Sequence, residues 1–255
     1  MAVLRKRAVE EEEDLKMKII EKKPNQVVFT IEMEETLANS IRRYVNQIPV
    51  AAIDEVEISR NDSPLYDETI AHRIGLIPLK NKSLHEKKPE KLKLKVNKEG
   101  VVYSEEIKGE PEIVYKRIPI TILDKGQELE FVATPKTGKG SEHAKFTPGL
   151  MFYRNVVEIT ADKSLHDEIK RSCPNSEIKD KGQKITIVDD KKQEIADVCE
   201  GICKRNGKKA AIDYKDKLVI TLESFGQINV DDIFKKSIEI LKKDLASISK
   251  KITKA

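Results

Sequence analysis

The side chains in this sequence best suited to metal chemistry are its three cysteines, Cys173, Cys199 and Cys203. A cubic iron–sulfur cluster takes four thiolates, often in a Cys-x2-Cys-x2-Cys-x3-Cys-Pro run, and only the closing Cys173-Pro174 pair matches that run. The four-residue spacing places Cys199 and Cys203 on one face of a helix rather than around a tight loop. Three thiolates can hold a three-iron cluster, and the alternative is that the cysteines act as small buried hydrophobic residues. We expect the alternative, and no bound cofactor.

The sequence contains even fewer side chains suited to bind zinc or to act as a catalytic acid or base. A zinc site would need a fourth ligand beside the cysteines, and His166 is the nearest candidate. His72 follows the carboxylates Asp67 and Glu68, but no serine or cysteine stands in a nucleophile elbow near it or near His143. No Asp-x-Asp-x-Asp triplet is present to bind a catalytic metal. We therefore interpret both histidines as structural or interface residues and expect no catalytic residue in this chain.

Composition excludes several classes of protein. The 255 residues carry 48 Lys+Arg against 44 Asp+Glu, a near-neutral balance that argues against a protein coated by nucleic acid. Aromatic residues make up 5%, which leaves few platforms for stacking bases and disfavours an RNA-binding protein. No apolar run reaches the ~20 residues that span a bilayer, and Met1–Asp14 has no apolar core like that of a secretory signal. An odd number of cysteines favours a reducing compartment, so we expect a cytoplasmic protein without membrane contact.

The first clear helix follows a strand predicted at 27–31. Thr36 is its predicted cap, and Pro49 is predicted to stop it. Arg42 and Arg43 fall on its solvent flank. Its apolar stripe consists of Leu37, Ile41, Tyr44, Val45 and Ile48.

The chain closes with a long helix that Asn229 is expected to cap. Its apolar residues are spaced 4, 3, 4, 3 and 4 apart, the heptad pattern with which one helix packs on another. A stripe of this length extends past what a small sheet would cover, so we expect a partner helix from another chain rather than a sheet of the same domain. The stripe consists of Phe234, Ile238, Leu241, Leu245, Ile248 and Ile252.

Between these helices, alternating and β-branched runs predict a largely β region. The Lys-rich segment 81–99 predicts a hairpin at a sheet edge, where lysines discourage edge-to-edge pairing. A separate insert is predicted at 164–210; it holds the cysteines and a helix at 193–203. The other strands are predicted at 51–58, 113–122, 129–133, 153–159, 184–188 and 217–222.

Several ordered blocks of this sequence resemble the family of archaeal RNA polymerase D subunits. They are Leu37-Ala-Asn-Ser-Ile-Arg-Arg43, Ile48–Ile58, Ile70–Leu79, Gly138-Lys-Gly-Ser-Glu-His-Ala-Lys-Phe-Thr-Pro148 and Glu223-Ser-Phe-Gly226. The blocks are similar as well to the third-largest eukaryotic subunit and to the amino-terminal domain of bacterial alpha. Phe146 stands where the family usually has tryptophan, and we expect the packing to survive this exchange of aromatic rings.

The resemblance implies an α+β fold with a discontinuous dimerisation domain at 1–50 and 211–255. A mostly β insert domain at 51–163 and a small ferredoxin-like insert at 164–210 would interrupt it. In some family members the second insert binds an iron–sulfur cluster. The eukaryotic zinc loop corresponds to about 81–100, which contains no cysteine here, so no metal is expected there.

The resemblance also implies a non-catalytic assembly platform for DNA-dependent RNA polymerase. The two-helix face would pair with a smaller subunit L. Asn39, Arg42 and Arg43 would face the large subunits, since the planar guanidinium suits interface carboxylates. His72 and Arg73 are further interface candidates. The first insert would dock on the second-largest subunit and the small zinc subunits N and P, and DNA would be reached only through the complex. The alternative hypothesis, a free ferredoxin-like redox protein, does not explain the heptad stripe.

Overall fold

The computed structural model describes residues 17–81 and 91–253. Its strands are β1 Lys18–Lys23, β2 Gln26–Ile31, β3 Val50–Asn61, β4 Leu92–Val96, β5 Gly100–Tyr103, β6 Pro119–Leu123, β7 Leu129–Gly138, β8 Gly149–Asp162, β9 Ile178–Lys181, β10 Lys184–Asp189 and β11 Ala211–Ser224. Its helices are α1 Glu35–Val45, α2 Asp67–Gly75, α3 His166–Ser172, α4 Ala196–Arg205 and α5 Val230–Ile252. The predicted mixture of α and β structure is confirmed.

The chain divides into two compact units. The first comprises the described parts of 1–22, 27–38 and 152–221, and the second those of 23–26, 39–151 and 222–255. These bounds differ from those of the three predicted domains, whose division stays a prediction. The predictions for Met1–Asp14 and for the lysines of 82–90 fall outside the described residues.

The main sheet has six strands in the order β1-β2-β11-β8-β10-β9. β2 and β10 are rich in valine, isoleucine and threonine, which fit a pleated surface, and most of their side chains are buried. The strands predicted at 27–31, 153–159, 184–188 and 217–222 are confirmed and extend further than predicted.

The predicted insert at 164–210 adds two strands to this sheet rather than forming a sheet of its own. β10 pairs antiparallel with β8 on one side and with β9 on the other. α3 and α4 cover these strands, and their shared core includes Ile169, Ile187 and all three cysteines. The helix predicted at 193–203 begins at Ala196 and ends at Arg205.

The second unit contains a three-stranded antiparallel sheet, β3-β7-β4, and a β5–β6 ribbon. β4 lies at the sheet edge as predicted, with Leu92, Leu94 and Val96 buried, but it pairs with β7 rather than within a local hairpin. The strand predicted at 113–122 is corrected to β6, because Ile113 makes only an isolated bridge to Leu79. β3 and β7 confirm the predictions at 51–58 and 129–133.

Of the two predicted helix caps, Thr36 is wrong and the position of Asn229 is confirmed. Thr36 lies inside α1 and is not its cap, because helical bonding already begins with the Ala38 amide donating to the Glu34 carbonyl at 3.0 Å. Asn229 does occupy the cap position of α5, but its side chain makes no capping hydrogen bond. Across the described ranges, 17–81 and 91–253, we find no helix with the length and apolar character needed to cross a membrane.

Candidate partner-binding site

Helix α5 carries two stripes that lie side by side along its length. One faces the chain's own second unit and contains the buried Ile233 and Ser237 and the half-buried Ile240. The other is the predicted heptad stripe, whose members stand one position later in the sequence. One position turns a helix by about 100°, so the heptad stripe points about a quarter-turn away from the inward stripe. The helix therefore presents a second apolar face that its own unit does not cover in full.

The heptad stripe becomes more exposed toward the end of α5. Ile238 and Leu241 are half-buried, whereas Leu245, Ile248 and Ile252 are 56%, 53% and 71% exposed. Contiguous apolar side chains open to solvent at heptad spacing are typical of a surface that packs on another helix.

Tyr44 connects α1 to α5. Its hydroxyl donates a hydrogen bond to Asp244 Oδ2 at 3.2 Å. Burial, together with the hydrogen bond and the negative charge of Asp244, raises the pKa of Tyr44 above its ordinary value. Tyr44 and α5 thus lie together in the second unit, as the prediction of a two-helix face requires.

The remaining apolar residues of α1 differ in exposure. Ile41, predicted to contact a partner, is 2% exposed, and Val45 is also buried. Ile48 is buried as well, but it lies beyond α1, which ends at Val45 and not at Pro49 as predicted. Ile41 can therefore not contact a partner directly, and it can only pack beneath the side chains that form a partner-binding surface. Leu37, on the first turn of α1 in the first unit, is 47% exposed.

The arginines of α1 lie on its outer side, as predicted from their position off the stripe. Arg42 and Arg43 are exposed, and Arg42 Nη2 donates to Asn39 Oδ1 at 2.8 Å. Arg43 makes no ion pair with any other residue that the structure describes. Asn39 orients the guanidinium of Arg42, and the guanidinium of Arg43 has no carboxylate partner among the described residues. Both guanidinium groups are therefore suited to bind carboxylates of another chain. Their assignment to the large subunits stays a prediction.

The two candidates on α2 differ in their contacts. His72 is exposed, and so is Arg73, but Arg73 Nη1 donates to the Ile120 carbonyl at 2.9 Å and thereby holds α2 against β6. Arg73 thus has a structural contact within the chain. Whether either residue also meets a partner stays a prediction.

The glycine-rich block closes around an aromatic ring. Phe146 is buried, and a Cβ on Gly138 would lie 2.6 Å from its ring, so only glycine leaves room for phenylalanine there. His143 caps the 3-10 turn Ala144–Phe146, its Nδ1 accepting a hydrogen bond from the Lys145 amide at 3.1 Å. The interpretation of His143 as a structural residue and the expected packing of Phe146 agree with these contacts.

Lys145 fastens this block to β3. Its Nζ donates to Asp54 Oδ1 at 2.7 Å and to the Ile53 carbonyl at 3.1 Å, and it lies 5.0 Å from the centre of the Phe146 ring. The hydrogen bond from Lys145 lowers the pKa of Asp54 below its ordinary value. These contacts are those of a structural anchor.

The cysteines lie in the core between the sheet and the helices α3 and α4. All three thiols are free and buried. Burial raises the pKa of Cys173 and of Cys203, and it raises the pKa of Cys199 to about 12. Metal binding requires thiolates, which this environment disfavours. Within 17–81 and 91–253, no group of three or more His, Cys, Asp or Glu side chains is placed to hold a metal ion. The absence of a bound cofactor stays a prediction.

Sequence reasoning missed two charged residues that position these elements. Asp244 occupies a position that flanks the heptad stripe, and this position could have marked its carboxylate as a candidate to accept a hydrogen bond. Asp189 carries no such signal in the sequence. Its buried carboxylate pairs with Arg154 at 2.7 Å and accepts the Ile195 amide at 3.0 Å, which fixes the segment leading into α4.

Comparison with known proteins agrees with the resemblance of the sequence blocks. A family model described as RNA polymerase Rpb3/RpoA insert domain matches residues 56–151, a range inside the insert domain predicted at 51–163. The relatives described below are named as polymerase subunits, and the alternative hypothesis of a ferredoxin-like redox protein finds no support among them.

The relatives differ in how much of their length is matched. The chain is 35% identical over 168 residues to DNA-directed RNA polymerase subunit Rpo3 of Thermococcus kodakarensis, covering 60% of this chain and 64% of the relative. It thus spans less than two thirds of that relative. With the subunit Rpo3 of Pyrobaculum islandicum it shares 33% identity over 261 residues, covering 93% of this chain and 95% of the relative. The chain belongs to the Rpo3 family of archaeal DNA-directed RNA polymerase subunits.

Proposed function

We propose that this chain is a non-catalytic assembly platform of DNA-dependent RNA polymerase that pairs with a smaller subunit L through the heptad stripe of α5. The observation that carries the proposal is the exposure of Leu245, Ile248 and Ile252 at 56%, 53% and 71%. Fully burying one such side chain contributes about 1.5–3 kcal/mol, so three adjacent ones on a helix face favour association strongly.

The position of α1 supports the same assignment. Tyr44 bonds to Asp244, one residue before Leu245, so α1 lies beside the point where the heptad stripe becomes exposed. The half-buried Tyr44, Ile238 and Leu241 then form the inner part of the partner-binding surface. Ile41 supports this surface from within the core.

The remaining surfaces are assigned to other subunits. The exposed Arg42 and Arg43, with Asn39, face the large subunits, and the 51–163 region, including His72 and Arg73, docks on the second-largest subunit and the small zinc subunits N and P. The chain reaches DNA only through the complex, which works in the cytoplasm. The cysteines serve as packing residues, and no cofactor is part of the proposal.

Association with a purified L-type subunit tests the proposal. The chain and the L subunit are mixed, and the molar mass of the product is measured by size-exclusion chromatography with light scattering. We expect a one-to-one complex, and we expect the chain alone to be poorly behaved, forming nonspecific aggregates rather than a defined dimer. A well-behaved chain that elutes as a monomer and leaves L unbound would contradict the proposal.

A further inference from the structure

We infer that the helix seated on the heptad stripe of α5 carries two carboxylates, one heptad apart, that pair with Lys235 and Lys242. This inference rests on the proposed function, because it specifies the chemistry of the partner that covers the same stripe. It assigns binding roles to two lysines that the stripe itself does not include.

The heptad frame identifies which residues border the stripe. In a heptad labelled a to g, the apolar residues occupy a and d, and the flanking positions e and g carry the charges that select a partner. On α5 the d positions are Phe234, Leu241 and Ile248, and the a positions are Ile238, Leu245 and Ile252. The two flanks can therefore be read directly from the sequence of the helix.

One flank is occupied by the chain itself. The g positions include Ser237, which is buried, and Asp244, which accepts the hydrogen bond from Tyr44. This side of the stripe faces α1 and the core of the second unit. As far as Leu245, a partner helix can therefore reach charged residues only along the opposite flank; the last g position, Lys251, lies beyond this contact, is exposed and is also basic.

The open flank is basic. Its e positions are Lys235, Lys242 and Ser249, all exposed. Neither lysine forms a side-chain hydrogen bond or an ion pair with any residue in the described ranges. Seven residues at ~1.5 Å rise separate the two ammonium groups by about 10 Å along the helix. Carboxylates at the same spacing on a partner helix would pair with both lysines.

Charge also disfavours a second copy of this chain as the occupant. In an antiparallel pair of α5 helices related by a twofold axis, the e flank of one helix meets the e flank of the other. Lys235 and Lys242 would then face lysines, and like charges brought together oppose association. An acidic partner helix relieves this repulsion, so the lysines select a different chain.

The helix provides a matched control. Lys243 and Lys250 occupy f positions, the side opposite the stripe, and are exposed and also seven residues apart. The variant Lys235→Glu with Lys242→Glu and the variant Lys243→Glu with Lys250→Glu change the net charge equally. Only the first pair borders the stripe. Any difference in association rate between the variants is therefore caused by the position of the charges beside the stripe and not by the net charge of the helix.

The first measurement is the rate of association with the purified L-type subunit at about 50 mM and about 500 mM salt. Flanking charges act mainly on association rates and are screened by salt. We expect Lys235→Glu with Lys242→Glu to slow association about tenfold or more at low salt and much less at high salt. We expect the control variant to associate at nearly the wild-type rate.

The second measurement identifies the partner groups. A zero-length carbodiimide joins an amine only to a carboxylate in contact with it, so mass spectrometry of the treated complex should find Lys235 and Lys242 joined to Asp or Glu of the partner. Equal association rates for the two variants, with no such crosslinks in a complex that does form, would overturn the inference and leave the proposed function intact. If the wild-type chain forms no complex with L, the proposed function itself fails.

Discussion

Tyr44 and Asp244 lie 200 residues apart in the sequence, and the tyrosine hydroxyl donates to the aspartate at 3.2 Å. The contact joins α1 to α5 directly before Leu245, where the heptad stripe becomes exposed. The side of α5 that contains Asp244 thus packs on its own unit. The heptad stripe and its basic flank lie on other sides of the helix, where we propose that another chain binds.

Replacing Tyr44 by phenylalanine should lower the free energy of unfolding by about 1 kcal/mol or less, because one partly exposed hydrogen bond is lost. Urea denaturation of the purified chain measures the change. Tyr66→Phe is the control, since Tyr66 is exposed and its hydroxyl makes no hydrogen bond in the described parts of the chain. Equal losses in the two variants would mean that the contact with Asp244 does not stabilise the fold.

The same contact predicts a pH dependence. The pKa of Tyr44 is raised above its ordinary value of 10.0, so the folded chain holds this proton more tightly than the unfolded chain. The resulting stabilisation is present at neutral pH and is lost as the pH rises through the raised pKa. The difference between wild type and Tyr44→Phe should therefore shrink above about pH 10. A difference that stays constant there would contradict the proposed cause.

Arg42→Ala combined with Arg43→Ala should leave pairing with the L subunit unchanged and weaken recruitment of the second-largest subunit. Both arginines are exposed on α1 and lie off its apolar stripe. Co-purification of the L and second-largest subunits with each variant measures the two steps separately. Lys243→Ala with Lys250→Ala serves as the control for lost surface charge. Loss of the L subunit from the arginine variant would refute the assignment of inner and outer faces.

Two glycine substitutions should change stability in opposite directions. Gly138→Ala should cost about 1–3 kcal/mol, because the new Cβ would lie 2.6 Å from the buried Phe146 ring. Gly201→Ala should instead stabilise by about 0.5–1 kcal/mol, because Gly201 is exposed within α4 and its Cβ would meet nothing within 4 Å. Thermal unfolding of both variants provides the measurement, and a neutral Gly138→Ala would refute the tight packing of this block.

The cysteines should be unreactive in the folded chain. All three are buried, and burial raises the pKa of Cys199 to about 12, so few thiolates are available at pH 8. A disulfide reagent should leave them unmodified in native protein and modify three thiols in guanidinium. Reconstitution with iron and sulfide should likewise yield a colourless protein. A brown product with about three irons per chain, whose colour is lost on each single Cys→Ser change, would instead establish a cluster site.

The sequence predicted best those features that depend on local periodicity. The heptad spacing from Phe234 to Ile252 located α5 and the stripe whose last three members are exposed, and β-branched runs located β2 and β10. These patterns are set by residues a few positions apart, which is why they can be read without a structure.

Features set by distant residues could not be read in this way. Thr36 is a good capping residue by type, yet α1 begins at Glu35, two residues before the start that a Thr36 cap would give, because tertiary context can override local propensity. The strand predicted at 113–122 begins only at Pro119, because Ile113 forms no more than an isolated bridge to Leu79. Ile41 lies on the same stripe as Leu37, but the sequence does not reveal that the chain's own core covers it.

The most direct test of the account is the affinity of the L-type subunit for the variant Leu245→Glu with Ile248→Glu. Both side chains are exposed in the chain alone, so the variant should fold normally, and its circular dichroism should match that of wild type. Burying two unpaired carboxylates in an interface costs several kcal/mol, so we predict that isothermal titration calorimetry will find binding weakened at least 100-fold. Lys243→Glu with Lys250→Glu adds the same two carboxylates on the opposite side of α5 and should bind within about threefold of wild type. Wild-type affinity in the Leu245→Glu, Ile248→Glu variant would contradict the claim that this stripe is where the partner binds.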